Sequence, residues 1–328
     1  MADLKTTYMG IPLNSPLVVA ASSISSMLDR VKLAEQSGAG ALVIRSLFEE
    51  QILIDALQLQ EDLAVGSYSY AEALSYYPEI KHGQSAEHVM WVEKTRKAVK
   101  MPLIASLNAV TPGTWTQYAK QLEGTGVDAL ELNVYAVATD VDRPGAEIEK
   151  DLYATVESVK TAVKVPVAVK LSPFYTSAVN VAAELDRRRV EALVLFNRFL
   201  QPDIDPQTEA LHNEMVLSTP AEIKVPLRWI ALLYGRIRAD LALTTGAHSG
   251  LDVAKGILAG AAVVQTAAAL LKNGVPYVST MLRQLEGWMQ DRGYTSLADF
   301  RGTLSQKNVT DPFGFERAQY VQLLMSQK

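Results

Sequence analysis

Lys170 closes an apolar run, Val165-Pro166-Val167-Ala168-Val169-Lys170, and Leu171-Ser172-Pro173 follows it. A strand end that delivers an ammonium into a buried setting needs a partner for it, because burying a lone cation is costly. Three readings are open. A flavin is one partner: its two-electron reduction leaves negative charge around N1 and the C2 carbonyl, which a nearby ammonium stabilises. Glu131 on a neighbouring strand is another, with the lysine snorkelling at the strand end. A Schiff-base lysine is the third.

Asn133 ends the run Ala129-Leu130-Glu131-Leu132, and Asn197 ends Ala192-Leu193-Val194-Leu195-Phe196. An amide in such a place can pair with the edge of a planar ligand through one donor and one acceptor, or simply cap a loop. Arg45 follows Ala41-Leu42-Val43-Ile44. Its guanidinium suits a phosphate, a carboxylate or a ring carbonyl, or else an ion pair with Glu49 or Glu50. Thr244-Thr245-Gly246-Ala247-His248-Ser249-Gly250 precedes a helical pattern, and Gln265-Thr266-Ala267-Ala268 opens the next one. Helix starts favour anions, and barrel phosphate sites fall after the seventh and eighth strands. Together these groups describe a site for a phosphorylated planar cofactor.

The elements that must carry them alternate. Strand-like runs fall at 17–21, 41–44, 103–105, 129–132, 167–170, 192–196, 241–243 and 262–264. They are short and continuously apolar, as in strands covered on both sides. Helical patterns lie between them, at 27–37, 86–99, 115–124, 147–163, 178–188, 227–238, 251–258 and 266–273. This alternation predicts an α/β fold, a (β/α)8 TIM barrel, built as one domain over residues 1–328. The turn after the first strand, Ala21-Ser22-Ser23-Ile24-Ser25, lacks the glycines of an open dinucleotide-binding sheet. The residues before Leu17 are expected to form a hairpin closing the barrel floor. Long βα connections at 48–84, 135–146 and 198–225 then lie on the mouth side, where lids and substrate contacts belong. The segment beyond Gly287 reads as surface helix and loop.

Composition narrows the classes further. The chain has 328 residues, 48% of them hydrophobic and 20% charged, with a formal net charge of −5. No basic cluster suggests nucleic acid, and no apolar run is long enough to span a bilayer. Met1-Ala2-Asp3-Leu4-Lys5 shows no signal-peptide core. With no cysteine in the chain, disulfides, thiolate metal sites and a cysteine base are excluded. The four histidines, His82, His88, His212 and His248, lack metal-ligand spacing, so no metal is expected. His88 is placed on a solvated helix face, while His82 and His212 fall in the long mouth loops. A soluble cytoplasmic protein acting on a small molecule fits best.

Several of these segments together resemble the dihydroorotate dehydrogenase family of FMN-binding barrels. Met9-Gly10-Ile11-Pro12-Leu13-Asn14-Ser15-Pro16 is similar to its opening hairpin, and Gly38 to Ser46 to its second strand, with Arg45 where lysine is usual. Glu131-Leu132-Asn133, Val169-Lys170-Leu171-Ser172-Pro173 and Gly260 to Gln265 resemble its strand-four, strand-five and phosphate-side motifs. Gly293-Tyr294-Thr295-Ser296-Leu297-Ala298-Asp299-Phe300-Arg301-Gly302 resembles its C-terminal signature. The resemblance implies FMN at the C-terminal mouth. The residues assigned to it are Ala21, Ser22, Arg45, Asn108, Asn133, Lys170, Asn197, Thr245, Gly246, Gln265 and Thr266. The implied reaction is oxidation of dihydroorotate to orotate in pyrimidine biosynthesis, with Lys170 and Tyr135 as the catalytic candidates. Soluble barrels of this kind are often dimers, so the resemblance also admits a homodimer.

The departures fall on the substrate side. The family shows Asn-x-Ser-Cys/Ser-Pro-Asn after its strand-four asparagine, and this chain has Asn133-Val134-Tyr135-Ala136-Val137-Ala138. Alanine at the base position cannot accept a proton, and a lost general base costs on the order of 10²–10⁴ in rate. Ala138 replaces a substrate-binding amide. The Gly-Thr-Gly-Gly phosphate turn is reduced to Leu243-Thr244-Thr245-Gly246. The expectation is a protein that binds FMN and turns over dihydroorotate poorly, with Tyr135, Asp140 and His82 as acid–base candidates. The alternatives are a flavin-binding protein without dehydrogenase activity and a Schiff-base aldolase using Lys170.

Overall fold

A computed structural model describes residues 2–46, 83–108, 112–134, 137–212, 214–316 and 318–326. An antiparallel hairpin, β1 (Thr6–Tyr8) and β2 (Ile11–Leu13), comes first. Eight parallel strands then close into a barrel: β3 (Leu17–Val19), β4 (Ala41–Ile44), β5 (Leu103–Leu107), β6 (Ala129–Asn133), β7 (Val167–Leu171), β8 (Ala192–Leu195), β11 (Asp240–Thr244) and β12 (Val263–Thr266). A second hairpin, β9 (Asp203–Asp205) with β10 (Ala210–His212), stands in the connection after β8. The barrel is the fold the alternating pattern predicts.

Helices α1 (Leu28–Gln36), α2 (Gly83–Ala98), α3 (Pro112–Gly124), α4 (Gly145–Ala162), α5 (Ala178–Arg187), α6 (Lys224–Leu233), α7 (Gly250–Ala259) and α8 (Ala268–Asn273) follow the strands. The chain ends with α9 (Tyr277–Arg292) and α10 (Ala318–Ser326). Alternate residues of each strand face opposite sides. Leu130, Leu132, Val167, Val169 and Leu171 face the helices, in the outer core. Val18, Ala41, Val43, Ile104, Ala129, Ala168, Ala192, Val194, Ala242 and Ala262 belong to the inner one. The many alanines leave room along the axis, and the first hairpin fills it from below. Tyr8, Met9 and Leu13 are buried against that inner layer. The hairpin is tied down by Met9 N–H donating to Asp240 Oδ2 at 2.9 Å and Thr6 Oγ1 donating to the Ala262 carbonyl at 3.1 Å. The floor expected from residues before Leu17 is therefore present.

Three local expectations need correction. The strand at 262–264 runs on to Thr266, and its helix starts only at Ala268. The helix expected at 227–238 is shifted: it runs from Lys224 to Leu233 behind a turn at Pro220–Ile223. A capping box of Thr219 and Glu222 starts that turn, and proline is tolerated near a helix start because the first N–H groups have no partner there. The segment beyond Gly287 is surface helix only in part: α10 is exposed, but the stretch before it is packed on the barrel. Met289, Leu297 and Phe300 are buried, and the Phe300 ring lies 5.1 Å from Trp288 and 4.9 Å from Tyr294. Arg301 reaches the Gly260 carbonyl at 3.3 Å and Asp240 at 3.4 Å. The Gly293–Gly302 signature is thus a clamp on the outer and lower barrel, and helix α9, which begins ten residues before the expected surface helix, packs with it.

Candidate active site

The parallel register decides which side chains meet at the mouth. Glu131 pairs with Ala168 and Asn133 with Lys170, while Ser106 pairs with Glu131 on the other side. Ala129 and Ala168 face the inner core, so Glu131, Asn133 and Lys170, two or four residues along, face inward as well. Lys170 is 9% exposed at the upper end of this column. Its Nζ stands 3.8 Å from Glu131 Oε1, too far for a hydrogen bond. Among the described residues no acceptor lies within hydrogen-bond distance of that ammonium. The pairing with Glu131 weighed from sequence therefore exists, and it leaves the ammonium's N–H donors unspent.

A row of amides runs beside the lysine. Asn197 Nδ2 donates to Asn133 Oδ1 at 2.6 Å, and Asn108 Nδ2 donates to the Asn133 carbonyl at 2.8 Å. These bonds fix each amide's orientation, leaving the Asn133 NH₂ and the Asn197 oxygen without a hydrogen bond among the described residues. Gln265 turns its side chain into the barrel instead: it is fully buried, and Nε2 donates to Glu131 Oε2 at 2.9 Å. A contribution from Gln265 to a phosphate would have to come from its backbone.

The loops after β11 and β12 meet through Thr266, whose hydroxyl donates to the Ala247 carbonyl at 2.9 Å. Thr245 sits at φ 77° and Gly246 at φ 80°. For a β-branched residue the left-handed region is an outlier, and such strain concentrates at functional sites. A hydrogen bond from Thr245 Oγ1 to the Phe196 carbonyl, 3.1 Å, holds it there. Position 246 must be glycine for a second reason: a Cβ there would lie 2.3 Å from the backbone nitrogen of Ile223. The start of α7 is already filled. His248 N–H and Ser249 Oγ donate to Asp252 Oδ2 at 3.1 and 2.9 Å, and Gly250 N–H donates to Gln284 Oε1 at 2.8 Å. The Asp252 carboxyl is held below its usual range, chiefly by Lys255, His248 and Ser249, against the opposing effect of burial. The donors at that helix start serve an internal carboxylate. Among the described residues the N–H groups of Gly246 and Ala267 meet no acceptor.

On the adjoining rim, after β3, Ala21 and Ser22 are half-buried, and Ser22 Oγ caps the next turn by accepting Ile24 N–H at 3.4 Å. Arg45 is exposed, with its backbone fixed on both sides. Its N–H donates to Ser25 Oγ at 2.8 Å, and its carbonyl accepts His88 Nε2–H at 2.9 Å. His88 does not lie on a solvated face. Its other nitrogen accepts the Tyr118 hydroxyl at 2.5 Å. Burial depresses its pKa, with the Arg45 charge acting the same way against the Arg45 carbonyl bond, and burial lifts the Tyr118 hydroxyl beyond the usual phenol range. Helix periodicity places His88 on a face, and only the approach of α3 shows that the face is covered.

Other candidates stand apart from this cluster. Asp140 is exposed and accepts Asp142 N–H at 3.0 Å within its own turn. His212 lies on the exposed β10, 3.8 Å from Glu214. Ala138 is exposed. Tyr135, Ala136, His82, Glu49 and Glu50 lie outside the described residues. Sequence reasoning missed Tyr8 and the Ser46–Ser106 pair, whose hydroxyls meet at 2.7 Å; nothing local in the sequence links these residues to their partners. A cavity of about 600 Å³ lies elsewhere, on the outer wall between α6, α7 and Phe315, and shares no residue with the mouth.

A parallel barrel with a buried cation, an amide row and two joined loops at its C-terminal mouth has its candidate site where barrel enzymes carry theirs. Sequence comparison narrows the class. The chain belongs to the dihydroorotate dehydrogenase family, an oxidoreductase family whose profile matches residues 79–289. It is similar to the dihydroorotate dehydrogenase B (NAD(+)) catalytic subunit of Methanothermobacter thermautotrophicus, 27% identical over 91% of this chain and 97% of that protein. The protein of the same name from Thermoplasma volcanium is 27% identical over 92% of this chain and 98% of its own. The chloroplastic dihydropyrimidine dehydrogenase (NADP(+)) of Arabidopsis thaliana is 24% identical over 92% of this chain and 76% of its own. Among the described residues no helix is long and apolar enough to cross a membrane.

Proposed function

We propose that this protein is an FMN-dependent oxidoreductase that oxidises a CH–CH bond in a small ring of the dihydropyrimidine class and turns over dihydroorotate poorly. The observation that carries the reading is Lys170: a buried ammonium with unspent donors, level with an oriented amide row at the barrel mouth. The residues present fit FMN. Lys170 would lie toward the flavin ring, with Asn108, Asn133 and Asn197 at its edge. Ala21, Ser22 and Arg45 would close the near rim, and the backbones of Thr245, Gly246, Gln265 and Thr266 would take the phosphate.

When bound, FMN supplies a hydride acceptor. The chain's own residues do the rest. Lys170 presents fixed positive charge where negative charge develops, which is worth most in a site closed to water. Asn133 and Asn197 orient a flat partner by paired donor and acceptor. Proton removal falls to a group of this chain other than residue 136, because an alanine methyl cannot accept a proton. Tyr135, two residues from Asn133, is the candidate. Two features support a substrate change: Ala136 and Ala138 replace the base and amide of the family pattern, and a relative named for dihydropyrimidines aligns with most of this chain. The reading takes residues 1–328 as one domain of a cytoplasmic homodimer.

The test is anaerobic mixing of FMN-loaded protein with dihydroorotate, dihydrouracil and dihydrothymine while flavin absorbance is followed. Bleaching by a dihydropyrimidine at least tenfold faster than by dihydroorotate supports the reading. Fast bleaching by dihydroorotate overturns the substrate assignment, and a colourless protein that refuses FMN overturns the whole.

A further inference from the structure

One buried carboxylate has no task in the chemistry above. Glu131 is fully buried in β6. One oxygen accepts Gln265 Nε2–H at 2.9 Å, while the other, Oε1, makes no hydrogen bond among the described residues and faces Lys170 Nζ at 3.8 Å. Beneath it the Tyr8 hydroxyl and Gln265 Oε1 are likewise buried without a hydrogen-bond partner. Three orphaned polar atoms around one carboxylate lower stability, so their presence points to a role for the charge itself.

We propose that Glu131 is a positioning residue: its carboxylate holds the Lys170 ammonium at the barrel mouth, and Gln265 holds the carboxylate. The register sets the geometry. Glu131 is level with Ala168, one inward step below the pair Asn133 and Lys170. The methyl of Ala168 leaves the space between carboxylate and ammonium open. On the other flank Ser106 is occupied by Ser46. The titratable groups facing Glu131 are Lys170 from β7 and Tyr8 from the floor hairpin, with Asp240 of β11 behind Tyr8 and paired to Arg301. Burial, reinforced by the Glu131 and Asp240 charges, raises the Tyr8 hydroxyl well above the ordinary phenol range. Tyr8 therefore stays neutral and adds no second negative charge beside the carboxylate. The result is a polar column from the barrel floor to the mouth.

This inference rests on the flavin reading only for what the ammonium faces; the coupling itself belongs to the apoprotein. The experiment is acetylation of Lys170 by acetic anhydride across pH 7–10, quantified by peptide mass spectrometry, with Lys32 as surface control. Removing an adjacent negative charge makes an ammonium release its proton more readily. In Glu131→Gln the Lys170 profile moves to lower pH, and labelling at pH 8 rises on the order of tenfold, one pH unit's worth. Gln265→Met keeps the carboxylate but frees it, and moves the profile the same way by about two- to threefold, under half a unit. Unchanged Lys170 profiles in folded variants overturn the proposal. If Glu131→Gln does not fold, Gln265→Met decides alone. Titrating the same apoproteins with FMN separates the two readings. Wild type that refuses FMN sinks the flavin reading and leaves the coupling standing, whereas FMN binding with unmoved profiles sinks only the coupling.

Discussion

Asn133 in β6 and Lys170 in β7 are register partners on adjacent parallel strands, so an amide and an ammonium leave the barrel wall side by side at one height. Asn197 then crosses above β7 to bond Asn133 at 2.6 Å. The pair is held from three strands at once, which is how a rigid scaffold keeps a binding constellation in place.

Lys170→Met removes the charge and keeps the stem. Flavin reduction by the best substrate is expected to slow on the order of 10²-fold, the usual cost of one preorganised electrostatic contact. Stopped-flow absorbance measures it. A rate within threefold of wild type would mean the ammonium does not face the reacting ring.

Gly246→Ala tests the loop after β11. The new methyl would lie 2.3 Å from the Ile223 backbone, at a φ of +80°. A loss of about 2 kcal/mol or more in unfolding free energy is expected, together with weaker FMN binding. Denaturant melts and FMN fluorescence titration report the two effects separately.

His88 gives stability a pH dependence. Its folded pKa lies below the ordinary value of 6.5, chiefly through burial. The unfolded chain therefore binds the proton more readily, and stability rises with pH in that window. This contribution is complete above the unfolded value and is lost as pH falls through the folded one. Melting temperatures from pH 7 down to pH 5 should fall more steeply for wild type than for His88→Gln, and parallel curves would contradict it.

Phe300→Ala should cost about 3–5 kcal/mol, since a fully buried ring packed on Trp288 and Tyr294 is removed. FMN affinity of the folded fraction should be unchanged, because the clamp lies outside and below the barrel. Calorimetry and a binding titration check both halves.

The chain order of short apolar runs and amphipathic helices by itself determined the barrel, because both periodicities are local properties of the backbone. The same holds for Lys170, Asn133 and Asn197 as strand-end residues, and for a hairpin ahead of Leu17. What tertiary structure decided are relationships across strands. Glu131 is a strand residue like its neighbours until closure brings Gln265 to one oxygen and Lys170 near the other. Tyr8 is one more hairpin residue until six inward alanines, 41, 129, 168, 192, 242 and 262, leave an axis for it to fill. His88 turns from a helix-surface residue into a clamp on Arg45 only when α3 brings Tyr118 against it. Periodicity tells a residue which way to face; what stands opposite depends on parts of the chain far away in sequence, and only the closed barrel brings them there.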